Sequence, residues 1–165
     1  MLLKGYGMNI TLLPVTATNW QSLITLKIRE DQKGFVGSNL FSIAEAQFGF
    51  EFENNGHWDL HPFGIYDGNQ PVGFLMYGYN FGHPAWQAYI FRLMVDEKYQ
   101  GMGFGRSGMG KIIEAFRTDK RIKAIGISYK PNNDVARQLY ASLGFSETGD
   151  RVGEEVLAVL NLESG

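Results

Sequence analysis

A chain of 165 residues with 44% hydrophobic composition is long enough to bury a core of its own, and the complete absence of cysteine excludes disulfides, thiolate metal sites and a cysteine nucleophile together. The formal net charge of −2 argues against generic binding of nucleic acid. No apolar run approaches the ~20 residues of a membrane span, and residues 1–7 (MLLKGYG) lack the apolar core of a signal peptide, so the expectation is a cytosolic single domain over residues 1–165, with 1–7 a leader outside the core.

Met8 to Leu13 reads as a first strand, halted by Pro14. Thr18 or Asn19 can then cap a helix running to about Glu30, with Trp20, Leu23, Ile24 and Ile28 at helical spacing. After a loop containing Gly34 and Gly37, Ser42 opens a second short helix, and Glu45 completes a Ser-x-x-Glu capping box, so structure alone can account for Glu45. Asn54-Asn55-Gly56 marks a turn. Pro62 to Tyr66 and Pro71 to Tyr79 form a hairpin around Asp67-Gly68-Asn69-Gln70. Trp86 to Val95 is apolar on both faces, as a strand in the middle of a sheet must be.

A glycine-rich loop follows that strand, Gln100-Gly101-Met102-Gly103-Phe104-Gly105, with Arg106 after it. Ser107 to Arg117 continues as a helix with Met109, Ile112, Ile113 and Phe116 on one side, although Gly108 and Gly110 each cost it ~1 kcal/mol relative to alanine. Lys123 to Tyr129 is another buried strand, and a helix from about Val135 to Leu143 is stopped by Gly144. Phe145 to Thr148 and Val156 to Leu162 are the last two strands, joined through Gly149, Asp150 and Gly153. The order of elements and the absence of repeats or linkers describe one α+β domain around a mixed sheet.

Three glycines at alternate positions between a buried strand and a helix let successive N–H groups curl around a phosphate, with the helix's positive end behind them. Gly103-x-Gly105-x-x-Gly108 matches a dinucleotide fingerprint, but the next strand ends in Ser128 and Tyr129 where an acid for the ribose is required. Gly105-x-x-x-x-Gly110-Lys111 matches most of a P-loop, yet Ile112 stands where magnesium needs a hydroxyl.

Gln100-x-x-Gly103-x-Gly105, following Leu93-Met94-Val95-Asp96, resembles the acyl-CoA pyrophosphate loop of the GCN5-related N-acetyltransferases. Asn133-x-x-Ala136-x-x-Leu139-Tyr140-x-x-Leu143-Gly144-Phe145 resembles that family's second signature, and the resemblance runs from Met8 to Leu162. It implies an α+β (α/β) fold with a central mixed, twisted sheet of about seven strands flanked by about four helices. It also implies an enzyme that moves an acetyl group from acetyl-CoA to a primary amine by direct attack. By the same resemblance Leu93, Val95, Gln100, Gly101, Met102, Gly103, Gly105, Arg106, Asn133 and Tyr140 bind the cofactor. The N–H of Leu93 or Met94 serves the thioester oxygen, and Tyr140 is the general acid.

The chemistry needs an uncharged nitrogen, a donor for the developing oxyanion and a proton for the thiolate. Without the motif Tyr140 is a half-buried helix aromatic and Asn133 a simple N-cap. Candidates for the base are Glu45, Glu53, Asp59 and His61; His57, His61 and His83 lack metal-ligand spacing, so no metal is expected.

Several stretches resemble the bacterial spermine/spermidine acetyltransferase branch: Gln32 to Val36, Ser42 to Ala46, His61 to Tyr66 and Tyr89 to Asp96. Some members of that branch carry an acid where Phe91 stands here. Charge is uneven: Asp31, Glu45, Glu51, Glu53, Asp59 and Asp67 meet only Lys33, whereas Lys98 to Lys123 is strongly basic. The acidic half, interleaved with aromatics, suits a long polycation, and Glu45, Glu53, Asp59, Tyr89 and Phe91 are the expected acceptor contacts. The expected partner is a small-molecule amine, with a homodimer left open and no nucleic acid or membrane. Another small amine, a peptide lysine or a non-catalytic acyl-CoA sensor are the alternatives.

Overall fold

A computed structural model describes residues 8–49, 51–52 and 56–163 of the chain. In chain order the elements are β1 (Ile10–Pro14), α1 (Trp20–Ile24), a single 3-10 turn (Glu30–Gln32), α2 (Asn39–Phe48), β2 (Glu51–Phe52), β3 (Gly56–His57), β4 (Asp59–Asp67), β5 (Gln70–Tyr79), β6 (Ala88–Val95), α3 (Phe104–Thr118), β7 (Ala124–Tyr129), α4 (Asp134–Ser142), β8 (Ser146–Val152) and β9 (Glu155–Asn161). Seven strands form one sheet in the order β1-β4-β5-β6-β7-β9-β8, while β2 and β3 make a separate two-stranded ribbon. Among the described residues only β6 and β7 run parallel; the other pairs in the sheet are antiparallel. The expected mixed seven-stranded sheet with four helices is the fold this chain adopts.

Side chains alternate across the central strands as a pleated backbone requires. On β5, Leu75 and Tyr77 join Ile65, Met109, Ile112 and Phe116 in the layer under α3. Phe74 and Met76 point the other way and pack with Trp58, Tyr89 and Met94, against Leu26, Ile28 and Ile43 from the α1–α2 side. Each such buried side chain contributes ~1.5–3 kcal/mol relative to exposure. The glycine at 108 has a packing reason: a Cβ there would stand 3.0 Å from Ile65 Cδ1, so its absence lets α3 approach β4. At Gly110 a Cβ would meet nothing within 4 Å.

Three helices differ from expectation in where they start or stop, and so does the last hairpin, where β8 runs on to Val152 and takes in Gly149 and Asp150. The first helix ends at Ile24 rather than near Glu30. Asn19 spends its side chain on the preceding turn, accepting from Thr16 N and donating to Pro14 O. Lys27 is pinned to the end of β6: its N–H donates to Asp96 Oδ2 at 2.9 Å and its carbonyl accepts from Glu97 N at 2.7 Å. The second helix starts earlier, because Ser38 and not Ser42 is the cap, accepting from Phe41 N at 3.1 Å. Ser42 is buried inside the helix with its hydroxyl on Ser38 O, so the capping box assigned to Glu45 does not form. The glycine-loop helix begins at Phe104, three residues before Ser107, with Gly103 as its N-cap.

Asp96, 7% exposed, ties this together, accepting from Lys27 N and from Lys98 N at 3.0 Å. Asp96→Ala should lower stability by about 2–3 kcal/mol, because two amides lose a charged acceptor. Urea denaturation reads the loss, and Asp96→Asn should recover part of it.

Candidate active site

The parallel β6–β7 pair is short. Ala88, Tyr89 and Ile90 pair with Ile125, Gly126 and Ile127; from Phe91 onward the strands part, although β7 stays paired with β9 out to Tyr129. A bulge marks the parting, because Met76 pairs with Arg92 and Tyr77 with Ile90, leaving Phe91 as the extra residue. Beyond it the antiparallel alternation decides which amides are free. Asp96 N bonds Val72 O at 2.8 Å, which turns the amides of Met94 and Asp96 toward β5 and those of Leu93 and Val95 toward the gap.

A cleft of about 1290 Å³ opens there. Its floor is Tyr89 to Val95. One wall is the glycine loop and the first turn of α3, another is Ser128, Tyr129 and α4, and a third is Ile28 to Gly37. Gly101 and Gly103 have positive φ, 74° and 89°, a region L-residues rarely adopt. They curl the chain so that the first amides of a 15-residue helix face the cleft, a ready anion site. Gln100 braces the loop by donating from Nε2 to Val95 O at 2.9 Å and to Gln32 Oε1 at 2.7 Å. Arg106, exposed in the first turn of α3, lines the same wall.

Of the expected cofactor residues, Leu93, Val95, Gln100, Gly101, Gly103, Gly105, Arg106, Asn133 and Tyr140 all line the cleft, and so does Met94. Met102 is 57% exposed and is absent from the lining. Asn133 caps α4, its side chain accepting from Ala136 N at 3.2 Å. Tyr140 is 7% exposed and packs between Tyr129, 5.6 Å away, and Phe145, 6.0 Å away. Burial, with the nearby Glu155 carboxylate second, pushes its phenol well above the usual tyrosine range, so it stays protonated at neutral pH.

The acceptor-side expectations scatter. Tyr89 and Phe91 line the cleft, their rings 4.8 Å apart. Glu45 does not line it: it is ion-paired to Arg92 at 3.3 Å, and burial raises its pKa while Arg92 opposes the rise. Asp59 bonds His61 at 3.0 Å, and His61 stacks on Tyr77 in the layer under α3, across the sheet from Phe91. Glu53 lies outside the described residues. The acidic run is therefore dispersed: Asp31 pairs with Arg29 and Asp67 caps Asn9 N.

One lining group had no sequence signal. Glu155, the first residue of β9 after the Gly153-Glu154 turn, looks in sequence like a solvated hairpin carboxylate, but it lies at the cleft and accepts from Ser128 Oγ at 2.5 Å. Ser128 in turn accepts from Tyr89 OH at 2.6 Å.

The geometry has relatives. The sequence model of the Acetyltransferase (GNAT) family matches residues 22–145. The spermine/spermidine N(1)-acetyltransferase of Bacillus subtilis is 28% identical over 156 residues, covering 91% of this chain and 97% of that protein. Among solved structures, the spermidine N-acetyltransferase of Vibrio cholerae in complex with CoA and spermine superposes with a TM-score of 0.66 at 17% identity, covering 91% and 92% of the two chains. The aminoglycoside acetyltransferase AAC(6')-Ib in complex with coenzyme A gives 0.70 at 17% identity, covering 93% and 95%. At those identities the structures speak to the fold.

Proposed function

Because the chain belongs to the GNAT acetyltransferase family and is an acetyl-CoA-dependent acyltransferase, we propose that its acceptor is the primary amine of a polyamine. The observation that carries a transfer site is the parting of β6 from β7 beside the glycine loop, which leaves the amides of Leu93 and Val95 unpaired in a cleft. Acetyl-CoA supplies the acetyl group as a thioester. The residues present fit it: Gly101, Gly103, Gly105 and Arg106 for the phosphates, and the open β6 edge for the extended arm. A Cβ at Gly101 would meet no protein atom within 4 Å, so the space above that amide is open.

Leu93 N–H is the donor for the carbonyl oxygen on which charge develops, since the alternation turns Met94 N–H to β5. Tyr140 holds the proton for the departing sulfur. Its raised pKa makes a free tyrosinate costly, so the proton moves only as the sulfur gains charge. Support for a polyamine comes from the Bacillus subtilis relative and from the apolar wall of Phe91, Val36 and Ile28, which suits methylenes between charged nitrogens.

Release of CoA with spermine, spermidine, putrescine, lysine peptides and aminoglycosides tests the acceptor. Spermine or spermidine should lead in kcat/KM by about tenfold or more, as differential contacts of ~1.4 kcal/mol would give. An aminoglycoside or peptide in the lead overturns the polyamine, and no turnover with any amine, with acetyl-CoA still bound, points to a sensor.

A further inference from the structure

The acceptor amine is a cation at neutral pH and must lose a proton before it can attack. Three carboxylates lining the cleft are placed elsewhere: Asp31 and Asp134 are paired with Arg29 and Arg137, and Glu97 follows the far end of β6 by the glycine loop. Glu155 has no cation within ion-pair distance among the described residues. Its one hydrogen bond there is through Oε2, from Ser128, and Oε1 has none. Both hydroxyls of the Tyr89–Ser128–Glu155 chain donate toward the carboxylate, so it ends in an acceptor with lone pairs to spare.

We propose that Glu155 is the general base that takes the proton from the acceptor ammonium, with Ser128 and Tyr89 as positioning residues. The inference rests on the amine-acetylating function proposed above. A carboxylate with no ion pair among the described residues, in a cleft whose lining also includes Phe91, Val36 and Val152, supplies the counter-charge that draws a cation in. Placement agrees with the electrostatics, since the Glu155 charge is felt at the phenols of both Tyr89 and Tyr140. Other ionisable groups nearby are Arg92 on β6, Tyr129 on β7, Lys130, which pairs with Glu154, and Arg151 on β8, which donates to Glu154 O.

The step balances. The ammonium gives one proton to Glu155, and the neutral nitrogen bonds to the thioester carbonyl carbon. The C–S bond then breaks, its electron pair goes to sulfur, and Tyr140 protonates the sulfur. The nitrogen's second proton returns to the Tyr140 oxygen, and Glu155 releases the first to water, leaving an amide, a thiol and one proton.

The test is kcat/KM for spermidine between pH 6 and 10 in the wild type, Glu155→Gln, Glu155→Asp and Ser128→Ala, with acetyl-CoA affinity by calorimetry. Glu155→Gln should fall about a hundredfold or more at neutral pH. The deficit should shrink as pH rises toward the amine pKa of ~10, where free amine needs no base. Glu155→Asp should recover part of the rate, Ser128→Ala should lose severalfold, and acetyl-CoA affinity should hold in all. A Glu155→Gln rate at the wild-type level, a deficit equal at every pH, or a parallel loss of acetyl-CoA affinity overturns the proposal. If Glu155→Gln does not fold, Glu155→Asp carries the test: a wild-type rate and pH profile there overturns it. Wild-type turnover with a normal Glu155→Gln removes the base alone, whereas no turnover by the wild type removes the proposed function with it.

Discussion

Gly103→Ala should raise the Kd for acetyl-CoA about a hundredfold while leaving the fold intact. Gly103 sits at φ 89° as the N-cap of α3, with only Met8 Cε, at 3.4 Å, near where a Cβ would go. The protein can therefore house the methyl group, but the left-handed backbone costs an alanine ~1–2 kcal/mol. The loop relaxes away from that conformation and its amides turn from the phosphate, forfeiting a charge-assisted hydrogen bond of ~1.5–3 kcal/mol. At ~1.4 kcal/mol per decade the upper end of that loss corresponds to roughly two decades in Kd. Calorimetric titration with acetyl-CoA decides it, with a thermal melt as the control; an unchanged Kd would show that the phosphate does not use this loop. Met102, exposed beside it, should tolerate alanine with no such effect.

Tyr140→Phe should lower kcat by about 10²–10⁴, the range expected when a positioned acid is lost, with little change in acetyl-CoA affinity. The phenylalanine keeps the packing against Tyr129 and Phe145, so a rate loss cannot be charged to a collapsed wall. Because burial and Glu155 hold the phenol protonated, the wild-type rate should not fall as pH passes the ordinary tyrosine value near 10. A fall centred there would mean that Tyr140 is solvated in the working enzyme, and turnover at the wild-type level in Tyr140→Phe would remove it as the acid.

How much of this was legible in the sequence follows how local each feature is. The glycine loop is six consecutive residues whose conformational needs are their own, so its left-handed turn could be read directly. The Asn133 to Phe145 stretch is a single helix and its exit, and Tyr140 could be placed on it for the same reason. The hairpin of β4 and β5 announced itself through Gly68-Asn69, with Gly68 at φ 59°. Even the packing role of Gly108 had a visible sign, an otherwise costly glycine inside an apolar helix face.

Charged residues were another matter, because a carboxylate's role depends on what lies across space from it. Glu45 fitted a capping pattern and an acceptor contact, yet it is committed to Arg92, 47 positions along the chain. Asp59 and Phe91 seemed parts of one acceptor wall, and the two-residue period of β4 puts Asp59 on the other face. Glu155 reads as a turn residue and reaches the cleft because β9 lies between β7 and β8, which carries it beside Ser128.

The sequence by itself therefore determined the class of fold, the turn of the glycine loop and the family, since these rest on backbone conformations and periodicities that neighbouring residues impose on one another. Tertiary structure alone decided which carboxylates stay free. A charge is spent or available according to the cation beside it, and only the sheet order and the bulge at Phe91 bring Tyr89, Ser128, Glu155 and Tyr140 to one cleft.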